Sequence, residues 1–108
     1  MSQAVIYPAG GRIAVFAGQV GATSGADTGQ QTAEVLAKID RLLGLVGAER
    51  KQIVSATIWL RDIADFDQMN AVWDKWVAPG HTPARACTEA RLADPGLKVE
   101  IQVTLSLD

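Results

Sequence analysis

Apolar and polar residues alternate with two different periods along this chain, and the switches between them mark its elements. Between Gln52 and Leu60, Val54, Ala56, Ile58 and Leu60 interleave with Ile53, Ser55, Thr57 and Trp59, which predicts a strand with the first set facing a covering layer. Upstream the period is helical. Val35, Leu36, Ile39, Leu42, Leu43 and Val46 make one apolar stripe, Thr28-Gly29-Gln30-Gln31 has the form of a capping box, Glu34 and Lys38 are an i,i+4 pair, and Gly47 supplies a stop. Downstream, Asp62 can cap a second helix running to about Val77, with Phe66, Met69, Trp73, Trp76 and Val77 on one side and Pro79-Gly80 ending it.

Two further segments read as hairpins. Ala4 to Tyr7 and Arg12 to Val20 flank the turn-forming Pro8-Ala9-Gly10-Gly11, with Gly18 marking a bulge or a close approach of backbone. Residues His81 to Leu92 and Leu97 to Thr104 flank Asp94-Pro95-Gly96, where Pro fixes φ and Gly is free to reverse it. The resulting order is β-β-α-β-α-β-β, an α+β domain spanning residues 1–108, with one mixed sheet and two helices on one face. The other face is left either to solvent or to copies of itself.

The closing hairpin carries the best candidate chemistry. With Arg85 opposite Glu100, its polar face collects Arg85, Cys87, Glu89, Lys98, Glu100 and Gln102. That set has two readings: a solvated cross-strand ion pair, or a pocket in which Arg85 grips a substrate carboxylate while Glu100 handles a water. Cys87 reads as a small packing residue whose backbone N–H matters more than its sulfur. Asn70, unusual inside a helix, reads as a structural anchor, and the three tryptophans read as packing residues.

Composition narrows the field. A net charge of -2 with dispersed signs provides no basic footprint, which disfavours nucleic acid. One cysteine and one histidine, His81 in a loop, leave no metal-ligand set within one chain, and no glycine pattern matches a nucleotide loop, so neither metal nor cofactor is expected. No leader-like start and no apolar run of membrane length occur, giving a cytoplasmic protein without a membrane partner as the expectation.

At Gly18-Gln19-Val20-Gly21, Gln31-Thr32, Asp62 to Phe66, Met69-Asn70, Pro83-Ala84-Arg85-Ala86-Cys87 and Val99-Glu100-Ile101, the chain resembles the RidA (YjgF-like) family of reactive intermediate deaminases. The resemblance implies a chorismate-mutase-like fold, a homotrimer, and ligand sites in clefts between subunits. It implies hydrolysis of 2-imino or enamino acids, such as 2-iminopropanoate and 2-iminobutanoate, to 2-oxo acids and ammonia. Arg85 matches the family's carboxylate-binding Arg, Glu100 the carboxylate that positions water, and Gly18 and Cys87 the backbone N–H donors. Three positions depart from the deaminase pattern: Ala17 stands for Ser, Gln102 for an acidic residue, and Met1 for a site Tyr, with Tyr7 as the stand-in. The rival expectation is a non-enzymatic trimeric module that binds small 2-oxo or carboxylic acids for metabolic regulation. Endoribonuclease activity, known for some relatives, fits the acidic balance poorly.

Overall fold

The computed structural model describes residues 1–7 and 10–107. Its strands are β1 (Ile13–Val15), β2 (Gln19–Val20), β3 (Ile53–Leu60), β4 (Ala84–Glu89) and β5 (Val99–Ser106), and its helices are α1 (Thr28–Val46) and α2 (Phe66–Trp76). They form one mixed sheet in the order β1-β5-β3-β4, with β2 also paired to β5. Both helices pack on the same face. Val35, Leu36, Ile39 and Leu43 of α1 and Met69, Trp73 and Trp76 of α2 bury against Ala56, Ile58 and Leu60 of β3 and Val99, Ile101, Val103 and Leu105 of β5.

The closing hairpin is not formed. β4 pairs with β3 in parallel and β5 pairs with β3 antiparallel on its other side, so β3 lies between the two expected partners. The cause is the helix between β3 and β4: a strand–helix–strand unit returns parallel to its start. The Asp94-Pro95-Gly96 turn does form, with Leu97 N–H donating to the Asp94 carbonyl, but it sits on a connection that steps over the end of β3. Ala90 N–H donates to the Leu60 carbonyl on one side of that step, and Arg61 N–H to the Lys98 carbonyl on the other.

The opening hairpin also gives way. Ala4 to Tyr7 form no strand, Pro8 and Ala9 lie outside the described residues, and Ser2 instead makes a parallel bridge to Ala84. β1 and β2 are successive pieces that both run along β5, with Val15 opposite Thr104 and Gln19 opposite Ile101. From 15 to 19 is four steps and from 104 to 101 is three, so Phe16 to Gly18 carry one extra residue, the bulge that Gly18 suggested. Gln102 Nε2 holds this bulge by donating to the Phe16 carbonyl at 3.1 Å.

Helix α1 is capped one residue earlier than the capping-box reading places it: Asp27 Oδ1 accepts from Gln30 N–H at 2.7 Å. Gly47 ends the helix with φ 69°, as expected of its position. Glu34 and Lys38 do not pair with each other. Glu34 accepts from Thr23 and Ala22, and Lys38 Nζ reaches the Val20 carbonyl, because the loop after β2 lies over this face of the helix. Asp62 caps a short 3-10 turn leading into α2, its carboxylate accepting from Ala64 N–H.

Candidate active site

The observed register separates the residues that the hairpin would have joined. Arg85 lies level with Ala56, and Cys87 with Ile58, which puts both on the helix-covered face at the outer strand β4. Glu100 lies level with Trp59 and with Val20, which puts it on the open face. Arg85 and Glu100 are two strands and three residues apart, about 14 Å between backbones with side chains diverging to opposite faces. One small substrate cannot touch both within one chain.

Arg85 is set where β4 meets α2. Its Nη1 donates to Asn70 Oδ1 at 2.7 Å, and its guanidinium lies 5.5 Å from the ring centres of both Phe66 and Trp73. Phe66, Asn70 and Trp73 share one face of α2 because they are spaced by four and three residues. Asn70 is held in turn, donating from Nδ2 to Asp74 Oδ2 at 3.2 Å. Among the described residues no carboxylate reaches salt-bridge distance of Arg85, so the charge is oriented by an amide and two rings and most of its five N–H donors are left without a partner there. The solvated Arg–Glu pair is therefore not what the chain builds.

Cys87 packs against the core, and burial pushes its thiol up from the ordinary value, with the nearby Arg85 charge opposing the shift. A thiol shifted in this direction is a poorer nucleophile at neutral pH. Its backbone is better placed. Ala90 N–H points inward to the Leu60 carbonyl and the Pro83 carbonyl points outward to Ser2 N–H. Peptide groups alternate along a strand, so the N–H groups of Arg85 and Cys87 face the outer edge of β4.

Gly18 and Glu100 come together on the open face. A Cβ at residue 18 would lie 2.1 Å from Glu100 Oε2 and 3.0 Å from its Cδ, so the carboxylate rests directly over the glycine backbone. The backbone at Gly18 does not require positive φ; close approach is what demands glycine. Tyr7 is elsewhere. It is 41% exposed and lines a groove of about 390 Å³ with Lys51 to Val54 and Gly80 to Thr82. That groove is at the start of β3, about 20 Å along the strand from the level of Glu100. Glu89, expected beside Arg85 and Cys87, accepts instead from Ile63 N–H at 3.0 Å and helps fix the turn into α2.

A family model described as Endoribonuclease L-PSP matches residues 1–106. This chain belongs to that family, the YjgF/RidA proteins. A RutC family protein of Haemophilus ducreyi is 46% identical over 96 residues, covering 89% of this chain and 82% of the relative. The crystal structure of a YjgF family member from Neisseria meningitidis matches with TM-score 0.84 and 46% identity, covering 92% of this chain and 82% of that one. More distant is the 3-aminoacrylate deaminase RutC of Acinetobacter baylyi, 35% identical over 75 residues that cover 69% of this chain and 59% of that protein. The chloroplastic Reactive Intermediate Deaminase A of Arabidopsis thaliana is 32% identical over 77 residues, 71% of this chain and 41% of that protein. The α+β, chorismate-mutase-like architecture is thus that of the YjgF/RidA fold.

Within this YjgF/RidA chain, the sequence reading missed the support beneath Arg85. Asn70 anchors the guanidinium of Arg85, and Phe66 and Trp73 are its platform as well as packing residues. The signal was present: the three residues fall on one helical face, next to a strand bearing an arginine. Trp59 was read as a packing residue, yet it is only half-buried and stands on the open face level with Glu100.

Proposed function

We propose that this protein hydrolyses reactive 2-imino and enamino acids to 2-oxo acids and ammonia, in clefts between the subunits of a homotrimer. The observation that carries the reading is the state of Arg85, a cationic fork held by an amide and aromatic rings with no carboxylate partner among the described residues. Such a fork fits an acid from outside, each charge-assisted hydrogen bond contributing about 1.5–3 kcal/mol. The outward N–H of Cys87 offers a further donor on the same edge.

We place the second half of the site on a neighbouring subunit, a reading supported by the opposed faces of Arg85 and Glu100. A carboxylate bound by Arg85 of one chain presents its imine carbon to Glu100 and the Gly18 backbone of the next. Water adds to the protonated imine carbon as Glu100 takes a proton from it; Glu100 returns that proton to the carbinolamine nitrogen, and the C–N bond breaks as the hydroxyl proton passes back to Glu100, which can hand it to the departing ammonia. The 2-oxo acid remains. Orientation supplies most of the advantage, since an iminium is already electrophilic. The named deaminases among the relatives support this chemistry, and the single free thiol suits a reducing cytoplasm, where we place the activity.

The test is to generate 2-iminopropanoate and 2-iminobutanoate with an amino-acid oxidase and follow semicarbazone formation. Active protein diverts the imine and lowers the semicarbazone yield. Arg85→Ala is expected to lose ligand binding, and Glu100→Gln to retain binding while losing turnover. If the protein binds 2-oxo acids through Arg85 but leaves the imine lifetime unchanged, it is a carboxylate-binding module instead.

A further inference from the structure

The open face of the sheet is not uniform around Glu100. Pairing places Val20, Glu100, Trp59 and Thr88 level with one another, a single row crossing β2, β5, β3 and β4. Within that row the carboxylate stands between an aliphatic side chain and an indole, both only half-buried. The neighbouring row toward the other end holds Gln102, Thr57 and Ala86, and the one beyond it Val15, Thr104, Ser55 and Ala84. On β5, β3 and β4 these rows are small or polar apart from Trp59 beside Glu100, while Val15, 63% exposed, supplies an aliphatic side chain at the β1 edge.

Cross-strand neighbours have Cβ atoms about 4.5–5.5 Å apart, so a molecule whose reacting carbon lies at Glu100 must place its substituents against Trp59 and Val20. An indole in that position offers a flat apolar surface to a hydrocarbon chain or ring and costs little ordering, having two rotatable bonds. Gly18 opens the same side, since a larger residue there would meet the carboxylate.

We propose that Trp59, with Val20, is the specificity-determining wall of the site, selecting 2-imino or 2-oxo acids with large apolar or aromatic side chains over those with a methyl group. This rests on the proposed deaminase reading for the reaction and on the register alone for the selectivity. Trp59 touches the substrate's side chain and takes no part in the proton transfers.

Two measurements separate the inference from the reading beneath it. The first compares kcat/KM for imines made from alanine, leucine and phenylalanine in the wild type, Trp59→Ala and Trp59→Phe. The wild type should favour the leucine and phenylalanine products; Trp59→Ala should lose about tenfold or more on these through KM, keep the alanine product within about twofold, and Trp59→Phe should recover most of the loss. An equal loss on all three substrates, or a change confined to assembly, would show a merely structural role and overturn the proposal. The second measurement is equilibrium binding of unreactive 2-oxo acids, pyruvate against 4-methyl-2-oxopentanoate and phenylpyruvate, read by tryptophan fluorescence. Trp73 lies 5.5 Å from the Arg85 guanidinium and can respond to a bound acid as well, so the part of the ligand-dependent change that disappears in Trp59→Phe is the part that reports on Trp59. Selective binding without imine turnover would sink the deaminase reading and leave the selectivity standing; turnover with no discrimination by side chain would do the reverse.

Discussion

Replacing Gly18 by alanine changes one methyl group and should disable the site without unfolding the protein. The new Cβ would fall 2.1 Å from Glu100 Oε2, where ordinary van der Waals contact begins near 3.4 Å, so the carboxylate must withdraw by about 1.3 Å. The obstruction is the end of a flexible side chain rather than backbone, and turning it aside costs about 0.5–1.5 kcal/mol. A displacement of this size at a reacting group costs roughly a hundredfold in rate. The backbone N–H of residue 18 is retained, so binding of a 2-oxo acid should weaken far less than turnover. The assay is imine hydrolysis beside urea unfolding for Gly18→Ala, Glu100→Ala and the double variant. Steric relief in the double variant should return stability to that of Glu100→Ala alone, with no further loss of rate. Full activity in Gly18→Ala, or rate losses that multiply in the double variant, would refute the placement of Glu100 over the glycine.

Other perturbations act on the supports of the two half-sites. Asn70→Asp puts a carboxylate against the guanidinium, so Arg85 should spend its donors internally and KM for the imine or Kd for a 2-oxo acid should rise by about tenfold or more, measured by kinetics and calorimetry. Gln102→Glu removes the only amide donor on that side chain and brings a second negative charge near Glu100; loss of the bond to the Phe16 carbonyl should lower stability by about 1 kcal/mol in urea unfolding. The Cys87 thiol, held protonated by burial, should react with iodoacetamide near pH 7 more slowly than a free thiol and speed up only at more alkaline pH, while Cys87→Ala keeps its backbone N–H and most of its activity.

The helices and the central strand were legible because their signals are local. The stripe from Val35 to Leu43 and the alternation from Val54 to Leu60 are each sufficient to state which side is buried, and burial follows them. Strand pairing was not legible at the C-terminal end. Asp94-Pro95-Gly96 is sound turn chemistry, but a turn specifies a reversal of the chain and not whether the returning strand pairs with its predecessor or steps past a neighbour. The step past β3 moved Arg85 and Cys87 to the helix side and left Glu100 on the other. The candidate residues stood out in the sequence as charged or special positions; their partition between two faces required the register. Asn70 was visible as an anomaly, and its partner was not, because that contact joins α2 to β4 across fifteen residues of sequence.

The central claim is that each site draws Arg85 from one chain and Glu100 from another. Subunit complementation tests it most directly: Arg85→Ala and Glu100→Gln chains, each inactive alone, are coexpressed or refolded together and the mixed assemblies are assayed for imine hydrolysis. Random mixing leaves about a quarter of the sites with both native residues, so activity should return to about that fraction of the wild type. Mixed assemblies that form and remain as inactive as their parents would contradict the account.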